Sequence, residues 1–388
     1  MATTVKFLHT SDWQLGMPAA FLAAGGESVP AEFARARLDA VERLGQVAAE
    51  YDCEFIVVAG DVFDTNQPSD RALGRAVEKL RGFDVPVYLL PGNHDSYDPS
   101  SVFRRSVLTD VEGVHVLSEP GPVRINDRVE LLAAPLLTRH PTDDPVGVAL
   151  DELEQQRSAD DYTEPAARVL VGHGQIEGFG DDALIDGERL SAAIADGTLA
   201  YAALGDRHGT LEALPGVWFS GAHEVTRYDD VEKDSGNVLV VELTINDTGA
   251  VERRVSPVRV GSWAFHASSA QINSEDDLEA WLTTMREIPH KDRTAVKYDL
   301  VGTVTYDQWL RLEDEVAELR ELYACLYPRK RLFDLAVVRG DLPADLGLSG
   351  YPARAAEALA EASEGQGDAA EASRQAFSLL YRLTRKDS

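Results

Sequence analysis

The chain has 388 residues, 44% of them hydrophobic and 27% charged, and it carries a formal net charge of −29. It is too long for one comfortable hydrophobic core, so we expect two or three domains in a soluble globular protein. The acidic balance argues against nucleic-acid binding over a general basic surface, and only a short basic strip such as 104–105 or 329–331 would meet a phosphate backbone. Cys53 and Cys325 indicate reduced, structural thiols rather than a disulfide framework. No segment approaches the ~20 apolar residues of a membrane span, and the first strand pattern begins almost at Met1, so we expect a cytoplasmic protein.

Strand and helix patterns alternate along the first part of the chain. Helical periodicity covers residues 31–51 and 69–81, and Leu73, Val77 and Leu80 fall on one face of the second of these helices. From about residue 217 to 260 the pattern changes to strands without long helices, which we expect to complete a second sheet. Periodicity alone therefore predicts an α/β fold.

Five short β-forming runs are each followed at once by a cluster of polar residues. The clusters are His9-Thr10-Ser11-Asp12-Trp13-Gln14, Gly60-Asp61, Gly92-Asn93-His94-Asp95, Gly172-His173 and Gly205-Asp206-Arg207-His208. A single Asp after a strand is usually a turn or helix cap, but unrelated caps would not produce this whole series. A pair of divalent cations binds well to oxygen and imidazole donors that are held by rigid strand ends. The glycines let the backbone approach the site closely.

In order and in neighbouring residues, these clusters resemble the motifs of the calcineurin-like metallophosphoesterases. The similarity extends over roughly residues 5–245. The sequences at 9–13, 60–64 (Gly-Asp-Val-Phe-Asp) and 220–224 (Ser-Gly-Ala-His-Glu) are most similar to the SbcD-type DNA repair nucleases. The resemblance implies a four-layer sandwich in which two mixed sheets lie between outer helices, with metals at the carboxyl ends of the strands.

Carried over to this sequence, the resemblance implies two metal sites that share one bridging carboxylate. One would be held by Asp12, Gln14, Asp61 and His208, and the other by Asp61, Asn93, His173 and Asp206. Two cations about 3.5–4 Å apart need a shared anionic ligand, and together they can clamp a phosphoryl group and activate a water. The resemblance also implies that His94 acts at the leaving oxygen, and we expect Asp95 to orient it.

Two of these residues depart from the family pattern. Gln14 and Asp206 stand where the family usually has histidine, and both changes replace a nitrogen donor by an oxygen donor. Oxygen donors favour Mn²⁺, with Mg²⁺ as the second choice, over Zn²⁺. The added carboxylate also weakens the metals as Lewis acids, so we expect it to reduce activity more than metal binding.

Several other polar residues have no assigned catalytic part. We expect His9 to be structural and Arg207 to face solvent, although it could also face a substrate phosphate. Asp64 is either a support for the ligands or a loop cap, and His223 is unassigned.

The chain after about residue 260 forms a separate module in this interpretation. We predict a metallophosphoesterase domain at 1–260, a smaller α/β capping domain at 261–345, and a helical segment at 346–388. Ser274 with Asp277 marks the start of a helix, and the apolar residues of 312–326 mark another. The module resembles the capping domain of SbcD-type nucleases. The apolar stripe Ala372, Ala376, Leu380 and Leu383 fits internal packing or, by the resemblance, docking of an SbcC-type ATPase.

The sequence thus predicts a metal-dependent phosphodiesterase, in its most specific form a DNA exo/endonuclease subunit of a repair complex. DNA and an SbcC-type ATPase are the expected partners, a homodimer is possible, and no membrane is involved. Two alternatives remain open. One is a phosphatase or phosphodiesterase for a small molecule or phosphoprotein, since the fold does not decide the substrate. The other is a weakly active metal-binding scaffold that positions a partner ATPase.

Overall fold

The computed structural model describes residues 3–159, 162–179, 183–246, 250–337 and 350–363, together with 367–370, 372, 373, 376, 377 and 380. The chain divides into two compact units. Unit 1 contains Met1–Ala267, His290–Val296 and Tyr323–Cys325, and unit 2 contains Ser268–Pro289, Lys297–Leu322 and Leu326–Ser388. The division into three domains at 260 and 345 stays a prediction. None of the described helices is long and apolar enough to cross a membrane.

The described strands and helices follow in chain order. The strands are β1 (Thr3–Thr10), β2 (Phe55–Val58), β3 (Val87–Leu89), β4 (Val114–Val116), β5 (Gly121–Arg124), β6 (Val129–Ala134), β7 (Ala167–His173), β8 (Tyr201–Gly205), β9 (Leu211–Leu214), β10 (Val217–Phe219), β11 (Asn237–Ile245), β12 (Val251–Arg259), β13 (Ala264–Ile272), β14 (Thr294–Val304), β15 (Cys325–Pro328) and β16 (Asp334–Val337). The helices are α1 (Val29–Glu50), α2 (Asp70–Leu80), α3 (Ser106–Thr109), α4 (Pro145–Arg157), α5 (Gly187–Ala195), α6 (Glu275–Glu287), α7 (Tyr306–Leu322) and α8 (Tyr351–Ala362).

Two six-stranded mixed sheets form unit 1. The first has the order β12-β11-β1-β2-β3-β4 and the second β5-β6-β7-β8-β10-β9. In the first sheet β1 to β4 are parallel neighbours, and β11 and β12 add antiparallel strands. In the second sheet β6, β7, β8 and β10 are parallel, and β5 and β9 close its edges in antiparallel pairing. Parallel strands place their carboxyl ends at one edge of each sheet.

Alternation of buried side chains sorts these strands into four layers. Leu8, Ile56 and Val58 face α1 and α2 in one apolar cluster. Their neighbours in sequence, including Phe7 and Val57, point the other way and pack between the two sheets. A third cluster joins the outer face of the second sheet to α4 and α5. Strands buried on both faces explain the nearly continuous apolar runs in the sequence. The predicted sandwich of two mixed sheets between outer helices is confirmed.

Unit 2 is a smaller α/β structure. Its sheet has the order β13-β14-β15, and β16 pairs with β14. Helix α6 begins as predicted, because the Ser274 hydroxyl accepts a hydrogen bond from Asp277 N at 3.1 Å. Phe377 and Leu380 of the C-terminal segment pack against Tyr306 in one apolar cluster. Of the predicted stripe, Leu380 is thus in contact with the rest of unit 2 and Ala372 is exposed, while Val338, Leu383 and most of residues 364–388 lie outside the described residues.

Candidate metal centre

The predicted ligands meet where the carboxyl ends of five strands converge. The loops after β1 and β2 are joined by hydrogen bonds from Asp12 N to Gly60 O at 3.0 Å and from Gln14 N to Asp61 O at 2.8 Å. The loop after β3 is joined to Asp61, whose Oδ1 accepts from His94 N at 2.9 Å. The second sheet is connected through Asp206 N, which donates to Asp12 Oδ1 at 3.1 Å. Hydrogen bonds from backbone N–H groups to backbone carbonyls and to the Asp12 and Asp61 carboxylates therefore hold the polar clusters of both sheets together.

A buried group of two carboxylates and an imidazole forms the middle of the site. Each of Asp12, Asp61 and His173 offers one donor atom, and these atoms lie within 4.8 Å of one another. His173 Nε2 lies 3.5 Å from Asp61 Oδ1, 3.7 Å from Asp206 Oδ1 and 3.2 Å from Asn93 Oδ1. His173 Nε2 is thus surrounded by oxygen atoms of the other three residues predicted for the same metal, namely Asp61, Asn93 and Asp206.

The orientation of His173 leaves its Nε2 directed at this group. Its Nδ1 donates to the Ala59 carbonyl at 2.8 Å, which fixes the ring as second contacts of metal-binding histidines usually do. Burial lowers the pKa of His173, but Asp61, Asp12 and Asp206 outweigh it and raise the pKa to about 9. Burial raises the pKa of Asp12 to about 6, although His208 and His173 oppose that rise. Concentrated negative charge in a buried place is the environment that a cation would neutralise.

The second predicted ligand group has a different arrangement. His208 Nε2 lies 3.9 Å from Asp12 Oδ1 and accepts a hydrogen bond from Gln14 Nε2 at 3.1 Å. The Gln14 amide nitrogen thus occupies the direction of the lone pair that His208 would offer to a metal. A half-turn of the amide would place Oε1 in that position as a ligand.

The other ring nitrogen of His208 contacts two residues that the sequence interpretation missed. Nδ1 lies 2.6 Å from Thr226 Oγ1 and donates to Glu232 Oε2 at 3.2 Å. Glu232 also accepts from Thr226 N at 3.0 Å, and its side chain is almost fully buried. Burial lowers the pKa of His208, but the hydrogen bond to Glu232 together with Asp12 raises it. The Glu232 carboxylate therefore contacts one nitrogen of the His208 ring, and the other nitrogen faces the metal site. Such a carboxylate–imidazole series raises the basicity of a histidine ligand.

Several of the predicted ligands adopt a backbone conformation that costs energy. The φ angles of Asp12, Gln14, Asp61 and Asp206 are +53°, +42°, +54° and +92°. Residues other than glycine seldom adopt positive φ, and such strain often concentrates at functional sites. Four of the seven described non-glycine residues with positive φ are predicted ligands. The loops are held in a shape that aims these side chains at one point.

Two glycines make room for the ligands. A Cβ on Gly60 would lie 2.1 Å from His173 Nδ1, and one on Gly92 would lie 2.2 Å from Asp61 Oδ1. Neither position tolerates a side chain without displacing a predicted ligand. This close approach explains why both motifs begin with glycine.

His94 lies at the edge of the group, but the residue that holds it differs from the expectation. Its Nδ1 donates to the Asp64 carbonyl at 2.9 Å, and its Nε2 lies 4.0 Å from Asp61 Oδ2. The expectation that Asp95 orients His94 was wrong. The turn after β3 directs the Asp95 carboxylate back into the protein, where it accepts from Phe63 N at 2.9 Å and from Gly92 N at 2.8 Å. Burial and the nearby Asp61 raise the pKa of Asp95 to about 7.

The other buried histidines are outside the group. His9 contacts the Tyr201 hydroxyl at 3.1 Å and the Leu204 carbonyl at 3.2 Å, and burial lowers its pKa to about 3. His223 Nε2 donates to the Arg37 carbonyl at 2.9 Å, and burial likewise lowers its pKa to about 3. Both are therefore neutral near pH 7, as expected of packing residues.

An open cavity of about 530 Å³ gives access to the site. Gln14, Asp61, Asn93, His94, Asp206 and His208 line it together with three cationic residues, Arg207, Arg227 and Lys233. The acidic residues in the lining are Asp61, Asp64, Asp206 and Glu232. Arg207, which we expected to face solvent, thus borders the cavity. Carboxylate, amide and imidazole donors around one space suit divalent cations, so the residues present fit the pair of metals that the sequence implied.

Comparison with known proteins agrees with this geometry. Residues 5–184 match the family model for calcineurin-like phosphoesterases. The matched segment is slightly less than half of the chain. The SbcD subunit of the SbcCD nuclease from Bacillus subtilis is 27% identical over 177 residues, which are 44% of this chain and 42% of that protein. The DNA double-strand break repair protein Mre11 of Thermoplasma acidophilum is 21% identical over 337 residues, 77% of this chain and 86% of that protein.

Two further matches are more limited. The SbcD subunit of the SbcCD nuclease from Escherichia coli K12 is 35% identical over 95 residues, 24% of this chain and 22% of that protein. Each of the two SbcD proteins is thus matched over less than half of its length. Among solved structures, the calcineurin-like phosphoesterase YfkN from Bacillus subtilis aligns with a TM-score of 0.42 at 12% identity and covers 67% of this chain and 92% of that one.

Proposed function

We propose that this calcineurin-like phosphoesterase is a metal-dependent phosphodiesterase that cuts DNA as a subunit of a repair complex. The observation that carries the proposal is the cavity itself, in which the predicted ligands and three cationic side chains share one space. Similarity to proteins named as nuclease subunits and as a DNA double-strand break repair protein supports the choice of DNA. Metal-assisted phosphodiester cleavage needs a ligand set for the metals, and cations beside the site help to bind a polyanionic strand.

The proposed ligand sets are those given by the sequence. Asp12, Gln14, Asp61 and His208 would hold one divalent cation, and Asp61, Asn93, His173 and Asp206 the other, with Mn²⁺ favoured over Mg²⁺ and Zn²⁺ by the oxygen donors. When bound, the pair would polarise the phosphoryl oxygens and activate the attacking water. Asp61 would be the shared carboxylate, a role supported by its donor atom, which lies within 4.8 Å of those of Asp12 from one set and His173 from the other.

His94 is placed to handle a proton. The Asp64 carbonyl fixes its Nδ1 as a donor, so Nε2 alone changes between donor and acceptor. Its side chain is 31% exposed and lines the cavity, where a leaving oxygen would be within reach. Protonated Nε2 can donate to that oxygen as the P–O bond breaks, and this is general-acid help. Asp95 takes no direct part and braces the loops that carry Asp61 and Asn93.

The cationic side chains of the cavity would hold the phosphates beside the scissile bond. Arg207, Arg227 and Lys233 have no ion pair among the described residues, whereas many other arginines in this acidic chain pair with carboxylates. Unpaired cations remain free to neutralise an anionic ligand. We further propose DNA and an SbcC-type ATPase as partners, a homodimer as the assembly, and a cytoplasmic location.

One observation favours a second candidate, a weakly active metal-binding scaffold for a partner ATPase. The Gln14 amide donates to His208 Nε2 at 3.1 Å, so one ligand group is satisfied internally. A metal at that site must first displace this hydrogen bond.

An assay with two substrates separates these functions. The purified protein is incubated with Mn²⁺ and either linear DNA or bis(p-nitrophenyl) phosphate, and an Asp61→Ala preparation serves as the control for contaminating nucleases. A DNA nuclease cleaves DNA in a manner that requires Asp61. Hydrolysis of the chromogenic diester alone would indicate a small-molecule enzyme. Metal binding with neither activity would indicate the scaffold.

A further inference from the structure

A second cavity of unit 1 lies between α1 and α2, next to the metal centre. Its volume is about 280 Å³, and it is lined by residues of both helices and by Leu15, Gly16 and Met17 of the loop after β1. The same loop borders the first cavity, because Gln14 and Met17 line the space above the predicted ligands. Met17 N donates to Gln14 O at 3.0 Å, so this loop is a tight turn. One short turn therefore separates the metal centre from the second cavity.

The charge of this cavity is opposite to that of the chain as a whole. Among the described residues that line it, Arg37, Arg71 and Arg75 are cationic and none is acidic. The chain contains 66 acidic residues against 37 basic ones, so such a lining is unusual for its composition. The remaining walls are mostly small or apolar, and Arg71 and Arg75 are themselves exposed to solvent.

The positions of Arg71 and Arg75 on α2 are electrostatically unfavourable in the protein without a ligand. They lie four residues apart on α2, and like charges at that spacing repel each other across one turn of helix. Neither has an ion pair within the described part of the chain. Beneath them Arg37 is buried, with its two terminal nitrogens donating to Trp13 O at 2.7 Å and Val225 O at 3.1 Å. Its Nε has no hydrogen-bond partner among the described residues. A bound anion would offset the repulsion between Arg71 and Arg75.

We propose that this cavity is a phosphate subsite, in which Arg71 and Arg75 bind a backbone phosphate of the DNA strand whose scissile phosphodiester lies at the metal centre. The inference rests on the proposed function and narrows its substrate class, since a short phosphodiester would end before the subsite. Arg37 would supply positive charge from below. Arginine suits this task because its planar group donates two hydrogen bonds to one phosphate.

The test compares two double variants that remove the same charge. Arg71→Gln with Arg75→Gln removes the subsite, and Arg35→Gln with Arg81→Gln removes two arginines of α1 and the end of α2 that line neither cavity. Affinity for a fluorescent 20-nucleotide strand is measured with Mn²⁺ at several salt concentrations, in a His94→Ala background that limits cleavage. KM and kcat are then measured in the active background on DNA and on bis(p-nitrophenyl) phosphate. Thermal unfolding confirms that each variant is folded.

The subsite variant should bind DNA on the order of tenfold more weakly, and the slope of log affinity against log salt should fall by about 0.7 for each phosphate that the protein no longer binds. Its KM for DNA should rise while kcat on DNA and all constants on the small diester stay unchanged, and the control variant should match wild type. Equal behaviour of the two double variants would overturn the subsite alone. A wild-type protein that hydrolyses the small diester but neither binds nor cuts DNA would overturn the proposed function, and the subsite with it.

Discussion

Replacement of Glu232 tests whether a residue that touches no metal sets the affinity of the centre. The carboxylate accepts from His208 Nδ1 at 3.2 Å and from Thr226 N at 3.0 Å, and its side chain is only 3% exposed. Glu232→Gln keeps an oxygen acceptor of nearly the same shape but removes the negative charge that favours a basic His208. Loss of such an outer partner typically lowers metal affinity about 10–100-fold, so we expect a decrease of that size at the site that includes His208.

Glu232→Ala should add a loss of stability to the loss of affinity. It leaves the buried Thr226 N–H without this acceptor, which costs about 1–3 kcal/mol of the free energy of unfolding. Calorimetric titration with Mn²⁺ and thermal unfolding of the metal-free protein separate the two effects, and Glu252→Gln, an exposed change on β12, is the charge control. If Glu232→Gln bound both metal equivalents as tightly as wild type, the carboxylate–imidazole series would have no part in metal binding.

Three further predictions concern the ligands and their neighbours. His94→Ala should retain two metals by elemental analysis but lose about a hundredfold in kcat, the usual scale of general-acid help, and loss of metal instead would make His94 a ligand. Because the pKa of His173 is raised from 6.5 to about 9, the metal-free protein should gain stability from its charge below pH 6.5 and lose that gain as pH rises through 9. Metal binding at pH 7.5 should accordingly release a proton, seen as a buffer-dependent heat in calorimetry, and a heat independent of buffer would contradict it. Gln14→His with Asp206→His should shift the ratio of Mn²⁺ to Zn²⁺ affinity toward Zn²⁺, and an unchanged ratio would mean that these side chains do not coordinate.

The strand ends were predictable from the sequence because two simple rules meet there. Apolar runs such as 55–59 identify buried strands, and parallel strands must present the residues that follow them at one edge. That is enough to bring Asp12 and Asp61 together at the edge of the first sheet. His173 ends a strand of the second sheet and joins them because the two sheets pack face to face. The glycines could be interpreted similarly, since Gly60 and Gly92 directly precede residues that approach another loop.

Residues fixed by irregular loops were not predictable in this way. Glu232 contacts His208 from 24 positions further along the chain, in a segment that has no helical or strand period. Asp95 seemed a partner of His94 because it is adjacent in sequence, yet the turn sends the two side chains in different directions and the Asp64 backbone takes that place. Adjacency in a tight turn gives little information on direction, because each residue of the turn has its own φ and ψ.

The acidity of the chain and a DNA substrate are reconciled by a local count of charges. Four carboxylates and three cationic side chains line the metal cavity, and a pair of divalent cations would add four positive charges. The lining is therefore slightly negative without metal and clearly positive with it. Charges more than about 8 Å away are screened at physiological salt, so the net charge of −29 matters less at the cavity than this local balance.

We therefore expect DNA affinity itself to require metal. Fluorescence anisotropy of the His94→Ala protein with a labelled strand should show binding with Mn²⁺ and its loss with EDTA. If the protein bound the strand equally well without Mg²⁺ and Mn²⁺, the cationic residues would bind DNA alone and the metals would serve only the cleavage reaction.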